Sequence, residues 1–256
     1  MSHTLAFGDD RSEGAGICWQ WIVSHRWEGW ELEVVTAEAP ADMHPVSTDE
    51  AELHVWEPED PRQAPEAGFD SISHLRADVD PRVALISKSW DLVAIGPRGS
   101  GLLKSLHMGS TADWLLREPT SPLLVAKVPE PVQRILVAAD GSAHAARAID
   151  TLASLPWLAS TSIRVVSVDD GKVDTEQALS AAVGALGESG VEAETVTHMG
   201  NATRTLTAEI HQWAPQLVVM GARGLSGIKR LVIGSSTAAI AGSSSTSLLV
   251  AHATDA

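Results

Sequence analysis

The chain has 256 residues, with 18 basic side chains against 33 acidic ones and a net charge of −15. That balance argues against docking on nucleic acid or an anionic membrane, both of which are polyanions. Cys18 is the only cysteine, which excludes an intrachain disulfide and a cysteine metal cluster and fits a reducing compartment.

In chain order, the first half reads as strands near 4–9, 31–37, 70–76, 91–96 and 122–127, each an apolar or β-branched run bounded by turn residues. Between the second and third of these, Pro40, Pro45, Pro58, Pro61 and Pro65 stand among many acids, so an irregular crossover is expected over 39–68, with one short helix around Thr48 to Leu53. Val128-Pro129-Glu130-Pro131-Val132 reads as a stiff linker. The second half repeats the order: strands at 133–139, 162–168, 191–198, 216–221 and 247–252, and helical patterns near 143–155, 173–189, 203–213 and 235–242. Strands alternating with helices predict right-handed crossovers and a parallel sheet covered on both faces. No apolar run approaches the roughly 20 residues of a bilayer span. The opening Met1-Ser-His-Thr-Leu-Ala-Phe has no basic stretch followed by an apolar one, so a soluble, cytoplasmic chain is expected.

The halves share more than their element order. Gly96-Pro-Arg-Gly99, nine residues and Gly109-Ser110-Thr111 return at a shift of 125 as Gly221-Ala-Arg-Gly224, nine residues and Gly234-Ser235-Ser236-Thr237. The shift persists at the closing runs, Leu123-Leu124-Val125-Ala126 and Leu248-Leu249-Val250-Ala251. Asp10-Arg11-Ser12 and Asp140-Gly141-Ser142 end the first strands at a shift of 130. The sequence is thus a divergent duplication, with domains expected at 1–128 and 133–256.

A glycine at a strand end lets a ligand approach the backbone without a Cβ in the way. Hydroxyls and free N–H groups at the helix start that follows favour an anion. Strand, glycine turn, second glycine and helix start together predict a phosphate cradle. There is no Gly-Lys-Ser or Gly-Lys-Thr and no Gly-x-Gly-x-x-Gly, so it is neither a Walker loop nor a dinucleotide fingerprint. Serines around 235–247 lack a paired base, and no carboxylate set for hydrolysis or phosphotransfer stands out. His54, His74, His107 and His198 lack metal-ligand spacing. No catalytic or metal site is predicted, and whether the protein is an enzyme stays open. Trp19, Trp21, Trp27 and Trp30 crowd the first helix and its exit and read either as core or as a contact surface.

On these motifs the chain resembles the universal stress protein family, in its tandem-domain, ATP-binding branch. The resemblance implies two Rossmann-like α/β domains, of the adenine nucleotide alpha hydrolase-like kind, each a five-stranded parallel sheet of order 3-2-1-4-5. Nucleotide would then lie at the carboxyl ends of strands one and four, where the order reverses. It further implies an adenine contact from Asp140, an adenine and ribose lining from Val168, and ribose and phosphate contacts from Gly221, Gly224, Gly234, Ser235 and Ser236. Arg223, within the motif, or Lys229 or Arg230 would screen phosphate charge. The matching first-half positions are Asp10, Ala37, Gly96, Arg98, Gly99, Gly109, Ser110 and Thr111. There Arg11 replaces Gly141, with a side chain long enough either to fill the pocket or to reach a phosphate. ATP, with any Mg²⁺ it brings, is the expected ligand, a stress-response sensor the expected function, and pairing of the two domains along their last strands the expected pseudo-dimer. Further self-association as a homodimer stays open, as do a nucleotide-free scaffold and a weak ATPase or autophosphorylating enzyme.

Overall fold

Strands buried on both faces need unbroken apolar runs, and Leu5-Ala6-Phe7, Ile135-Leu136-Val137 and Leu248-Leu249-Val250 supply them, each residue at most 1% exposed. The computed structural model describes residues 2–38, 52–98, 108–117, 120–225 and 233–253. The chain divides into two compact units, Met1–Pro129 and Glu130–Ala256.

The first unit runs β1 (His3–Gly8), α1 (Glu13–Val23), β2 (Trp30–Ala37), β3 (His54–Val55), β4 (Ser71–Ala77), α2 (Pro81–Ala84), β5 (Leu92–Ile95), α3 (Ser110–Arg117) and β6 (Leu123–Val125). Its strands lie in the order β3-β4-β2-β1-β5-β6, all parallel except the two-residue β3, which is antiparallel to β4. That sixth strand departs from the expected five, and it comes from the proline-rich crossover, where an edge position tolerates the lost N–H donors. Of the short helix expected around Thr48 to Leu53, only Glu52 and Leu53 are described, and neither is helical.

The second unit runs β7 (Arg134–Ala138), α4 (Ala143–Ala153), β8 (Ser162–Asp169), α5 (Thr175–Glu188), β9 (Ala193–Met199), α6 (Ala202–Trp213), β10 (Leu217–Gly221), α7 (Ser235–Ser243) and β11 (Ser247–Ala251). The sheet is parallel, β11-β10-β7-β8-β9. Its order reverses between β7 and β10, which opens a crevice at their carboxyl ends. Helix α5 turns Ala178, Ala182 and Leu186 inward at i, i+4 and i+8. Glu209, 6% exposed on α6, is held by Arg164 at 2.7 Å and His198 at 3.1 Å, and the Arg164 guanidinium lies 4.6 Å over Trp213.

Three of the clustered tryptophans are core. Trp21, Trp27 and Trp30 are at most 1% exposed, and Trp27 donates its indole N–H to the Ile22 carbonyl at 2.8 Å while stacking on Phe69. Cys18 is buried too, and desolvation, then the Asp9 charge, push its thiol pKa up, so it stays protonated. His25, packed on Trp21, hydrogen-bonds through Nδ1 to the Trp21 carbonyl at 2.7 Å, and burial lowers its pKa to about 4.

His25 therefore carries a pH prediction. The folded ring stays neutral down to about pH 4, whereas the unfolded ring takes up a proton below about 6.5. Between those values the unfolded state binds more protons, so stability falls as pH falls, by roughly 3 kcal/mol over the window. Denaturant titrations at pH 7 and pH 4 are expected to show that much more acid destabilisation in the native chain than in His25→Gln. Equal losses would remove His25 as the cause.

Candidate functional site

Both strand-to-helix turns fold alike because each ends in Asp-x-Ser. The Ser142 amide donates to Asp140 Oδ1 at 3.0 Å, its hydroxyl accepts the Ala145 amide at 3.2 Å to cap α4, and it donates to the Arg223 carbonyl at 3.2 Å. In the first unit Ser12 does the same with Asp10, Ala15 and Arg98, at 3.0, 3.2 and 3.4 Å. The serine thus ties the first helix of each unit to its glycine loop.

The two glycine loops are closed at the neck by one shared backbone bond. Gly234 N–H donates to the Ala222 carbonyl at 2.8 Å, and Gly109 N–H, at the matching position, donates to Pro97 at 2.7 Å. Gly99, Lys229 and Arg230 lie outside the described residues. Thr237 Oγ1, buried, donates to the Gly221 carbonyl at 2.9 Å and anchors α7 to the end of β10. Gly234 is the N-cap of α7 and brings no side chain to cap it. The first-turn N–H groups, which have no intrahelical acceptor, are therefore left for another partner.

A cavity of about 220 Å³ opens on this crevice. Its walls include Asp140, Val168, Gly221, Arg223, Gly224, Gly234, Ser235 and Ser236, so the structure brings together the second-half residues that the sequence singled out. It adds Asp170 and Lys172 after β8, and Asn201, Thr203 and Leu206 from α6, which sequence reasoning missed. The signal was present: Asn201 caps α6, accepting the Arg204 amide at 3.0 Å, and so places α6's first turn at the same carboxyl edge of the sheet.

The glycines differ in what they do. A Cβ on Gly221 would stand 2.6 Å from the Ala145 nitrogen, and one on Gly96 would overlap the Gly14 backbone, so these two permit a strand to touch a helix start. A Cβ on Gly224 would instead lie 2.6 Å from Asp140 Oδ2, inside the crevice.

In the first unit Asp10, Ala37, Gly96, Arg98, Gly109, Ser110 and Thr111 lie at the ends of β1, β2 and β5 and at the start of α3. Arg11 does adopt the left-handed conformation of its counterpart, φ 58° against 75° for Gly141. Its side chain turns to Asp9 at 3.2 Å and to Asp60. Asp9, whose side chain is fully buried, also accepts two bonds from Arg62, at 2.8 and 3.1 Å, and that guanidinium covers Phe7 and Trp19. Asp9 alternates onto the same strand face as Phe7, the face that α1's Trp19 covers, and away from the face of Gly8 and Asp10. Arg11 and Arg62 thus serve packing between the end of β1 and the described part of the crossover around Asp60 to Arg62. His74 accepts the Arg62 amide through Nε2 at 3.0 Å, and burial, then the Arg11 charge, hold its pKa below the usual value. Among the described residues no group of three His, Cys, Asp or Glu can hold a metal, and no helix is long and apolar enough to cross a membrane.

A parallel sheet flanked by helices, with a crevice at its reversal point, defines a Rossmann-like α/β protein. Residues 131–252 match the family model described as Universal stress protein family, so the second unit carries a domain of that family. A universal stress protein of Synechocystis sp. is 30% identical over 155 residues, 59% of this chain, and the match spans about half, 54%, of that relative. A universal stress protein from Archaeoglobus fulgidus has the same fold, with a TM-score of 0.70 at 18% identity over 99% of this chain and all of that one. So does a putative universal stress protein from Pseudomonas aeruginosa, with a TM-score of 0.62 at 15% identity over 98% of this chain and 93% of that one.

Proposed function

We propose that the chain is a universal stress protein that binds an adenine nucleotide, ATP foremost, and signals through its occupancy. The observation that carries the reading is the cavity at the ends of β7 and β10, which an uncapped helix start and a closed glycine loop border. Backbone N–H groups and the helix dipole there favour an anion even in a chain of net charge −15. Asp140 and Val168 face the base and ribose, Gly224, Gly234, Ser235 and Ser236 hold the phosphates, and Arg223 screens them. Any Mg²⁺ arrives on the phosphates. The first unit is a diverged universal stress protein domain whose cradle uses Asp10, Ala37, Gly96, Arg98, Gly109, Ser110 and Thr111.

The test is to denature freshly purified protein and quantify released nucleotide per chain by chromatography and mass spectrometry, then to titrate stripped protein with ATP, ADP, AMP and cyclic AMP. At least one equivalent of adenine nucleotide is expected, and ligand at 100 times Kd should stabilise the fold by about 2.7 kcal/mol. Absence of both carried nucleotide and titratable binding would overturn the reading.

A further inference from the structure

Thr203 and Ser236 meet across the cavity. Thr203 stands in the first turn of α6 and Ser236 in the first turn of α7; both are half-buried, both line the cavity, and their hydroxyl oxygens are 2.8 Å apart. One hydroxyl must donate to the other, and the choice decides what Ser236 offers the cavity. If Ser236 donates to Thr203, its proton is spent. If Thr203 donates to Ser236, the Ser236 proton is free for an acceptor in the cavity. An anionic oxygen there selects the second orientation, because a hydroxyl that already accepts a bond donates more strongly and a charged acceptor makes the stronger bond.

We propose that Thr203 is a positioning residue for the phosphate end of the ligand: it orients the Ser236 hydroxyl so that Ser236 donates to a phosphate oxygen. The inference rests on the nucleotide reading above and names a residue that the glycine-loop motif does not contain. The other unit supports it by contrast. Sheet register pairs Ala77 with Ala37 and His198 with Val168, so the segment after β4 matches that after β9 at a shift of 121. The helix caps Asp80 and Asn201 keep the same shift, and it puts Arg82 at the position of Thr203. Arg82 is tied to its own neighbour, donating to Asp80 Oδ1 at 2.8 Å and Oδ2 at 2.6 Å. The first unit therefore has a short-range ion pair where the second has a hydroxyl relay. Thr203 is not needed to hold α6 in place, since Leu206 and Ile210 are buried below it and Asn201 supplies the cap.

The test compares the native chain with Thr203→Val, which keeps the shape and loses the hydroxyl, and Thr203→Ser, which restores it. Each is titrated calorimetrically with adenosine, AMP and inorganic pyrophosphate, and thermal unfolding is recorded without ligand. Thr203→Val is expected to bind AMP and pyrophosphate about tenfold more weakly, the loss typical of a hydrogen bond to a charged group, with adenosine affinity and melting temperature unchanged. Thr203→Ser is expected to recover most of the loss. Equal weakening of adenosine and AMP, or no weakening of AMP, would overturn the proposal. Failure of the underlying reading looks different. If the native chain binds pyrophosphate but neither adenosine nor AMP, adenine recognition falls, while a pyrophosphate loss in Thr203→Val still upholds the relay. If it binds none of the three, both fall.

Discussion

Gly224→Asp is expected to weaken adenine-nucleotide binding by about a thousandfold, ~4 kcal/mol, while the protein stays folded. The position is within the crevice, and a Cβ there would lie 2.6 Å from Asp140 Oδ2. Gly224 is not among the positive-φ glycines, so a side chain is compatible with its backbone. The colliding atom is the tip of a side chain that can rotate away, which spares the fold. The site suffers more. A second carboxylate beside Asp140 meets incoming phosphate with like charge, and such juxtaposition costs several kcal/mol. Gly224→Ala separates shape from charge: it displaces Asp140 without adding charge and is expected to lose about tenfold. Calorimetric titration checks both, with circular dichroism as the control for folding. Native affinity in a folded Gly224→Asp variant would take the ligand out of this crevice.

How much of this was legible in the sequence depends on how local the signal is. The strand runs and the repeated glycines are short-range features, and they stand in the structure near their expected places: β1 and β7 lead into Asp10-Arg11-Ser12 and Asp140-Gly141-Ser142, and Gly109 and Gly234 stand at the starts of α3 and α7. The tryptophans read as core or contact surface, and Trp21, Trp27 and Trp30 are core because Phe69 and their own helix enclose them. Partners distant in sequence could not be read. Asp9, just after β1, and Arg62 are 53 positions apart, and Arg164 and Glu209 are 45 apart. Thr203 was missed for a related reason, because the motif runs along one segment while the cavity wall is built from four. The loop glycines were legible, though they meet two demands: Gly224 borders the cavity beside Asp140, whereas Gly96 and Gly221 make room for a helix start.

That division yields the second large effect, a loss of about 4 kcal/mol in the first unit's stability from Gly96→Ala. An added methyl usually costs about 1–3 kcal/mol in a packed site, because side chains give way by changing rotamer. Here the obstacle is the Gly14 backbone, together with the Ala15 nitrogen at 2.8 Å. Relief requires α1 to move off β5, and the Ser12 hydroxyl bond to the Arg98 carbonyl opposes that movement. A cost above the usual overpacking range is therefore expected. Seven of the nine tryptophans precede Pro129, so fluorescence-detected denaturation reports chiefly on the first unit. Gly96→Ala should lower the midpoint of that transition, and nucleotide affinity at the second unit should stay at its native value under folding conditions. Gly221→Ala is the counterpart, with its Cβ 2.6 Å from Ala145 N and 2.8 Å from His144 C. It should destabilise the second unit and weaken binding together, since the helix start it displaces carries the Ser142 that holds Asp140 in the crevice. A Gly96→Ala variant with native stability would mean that α1 shifts freely on the sheet, and the glycine would then have to be explained by a ligand after all.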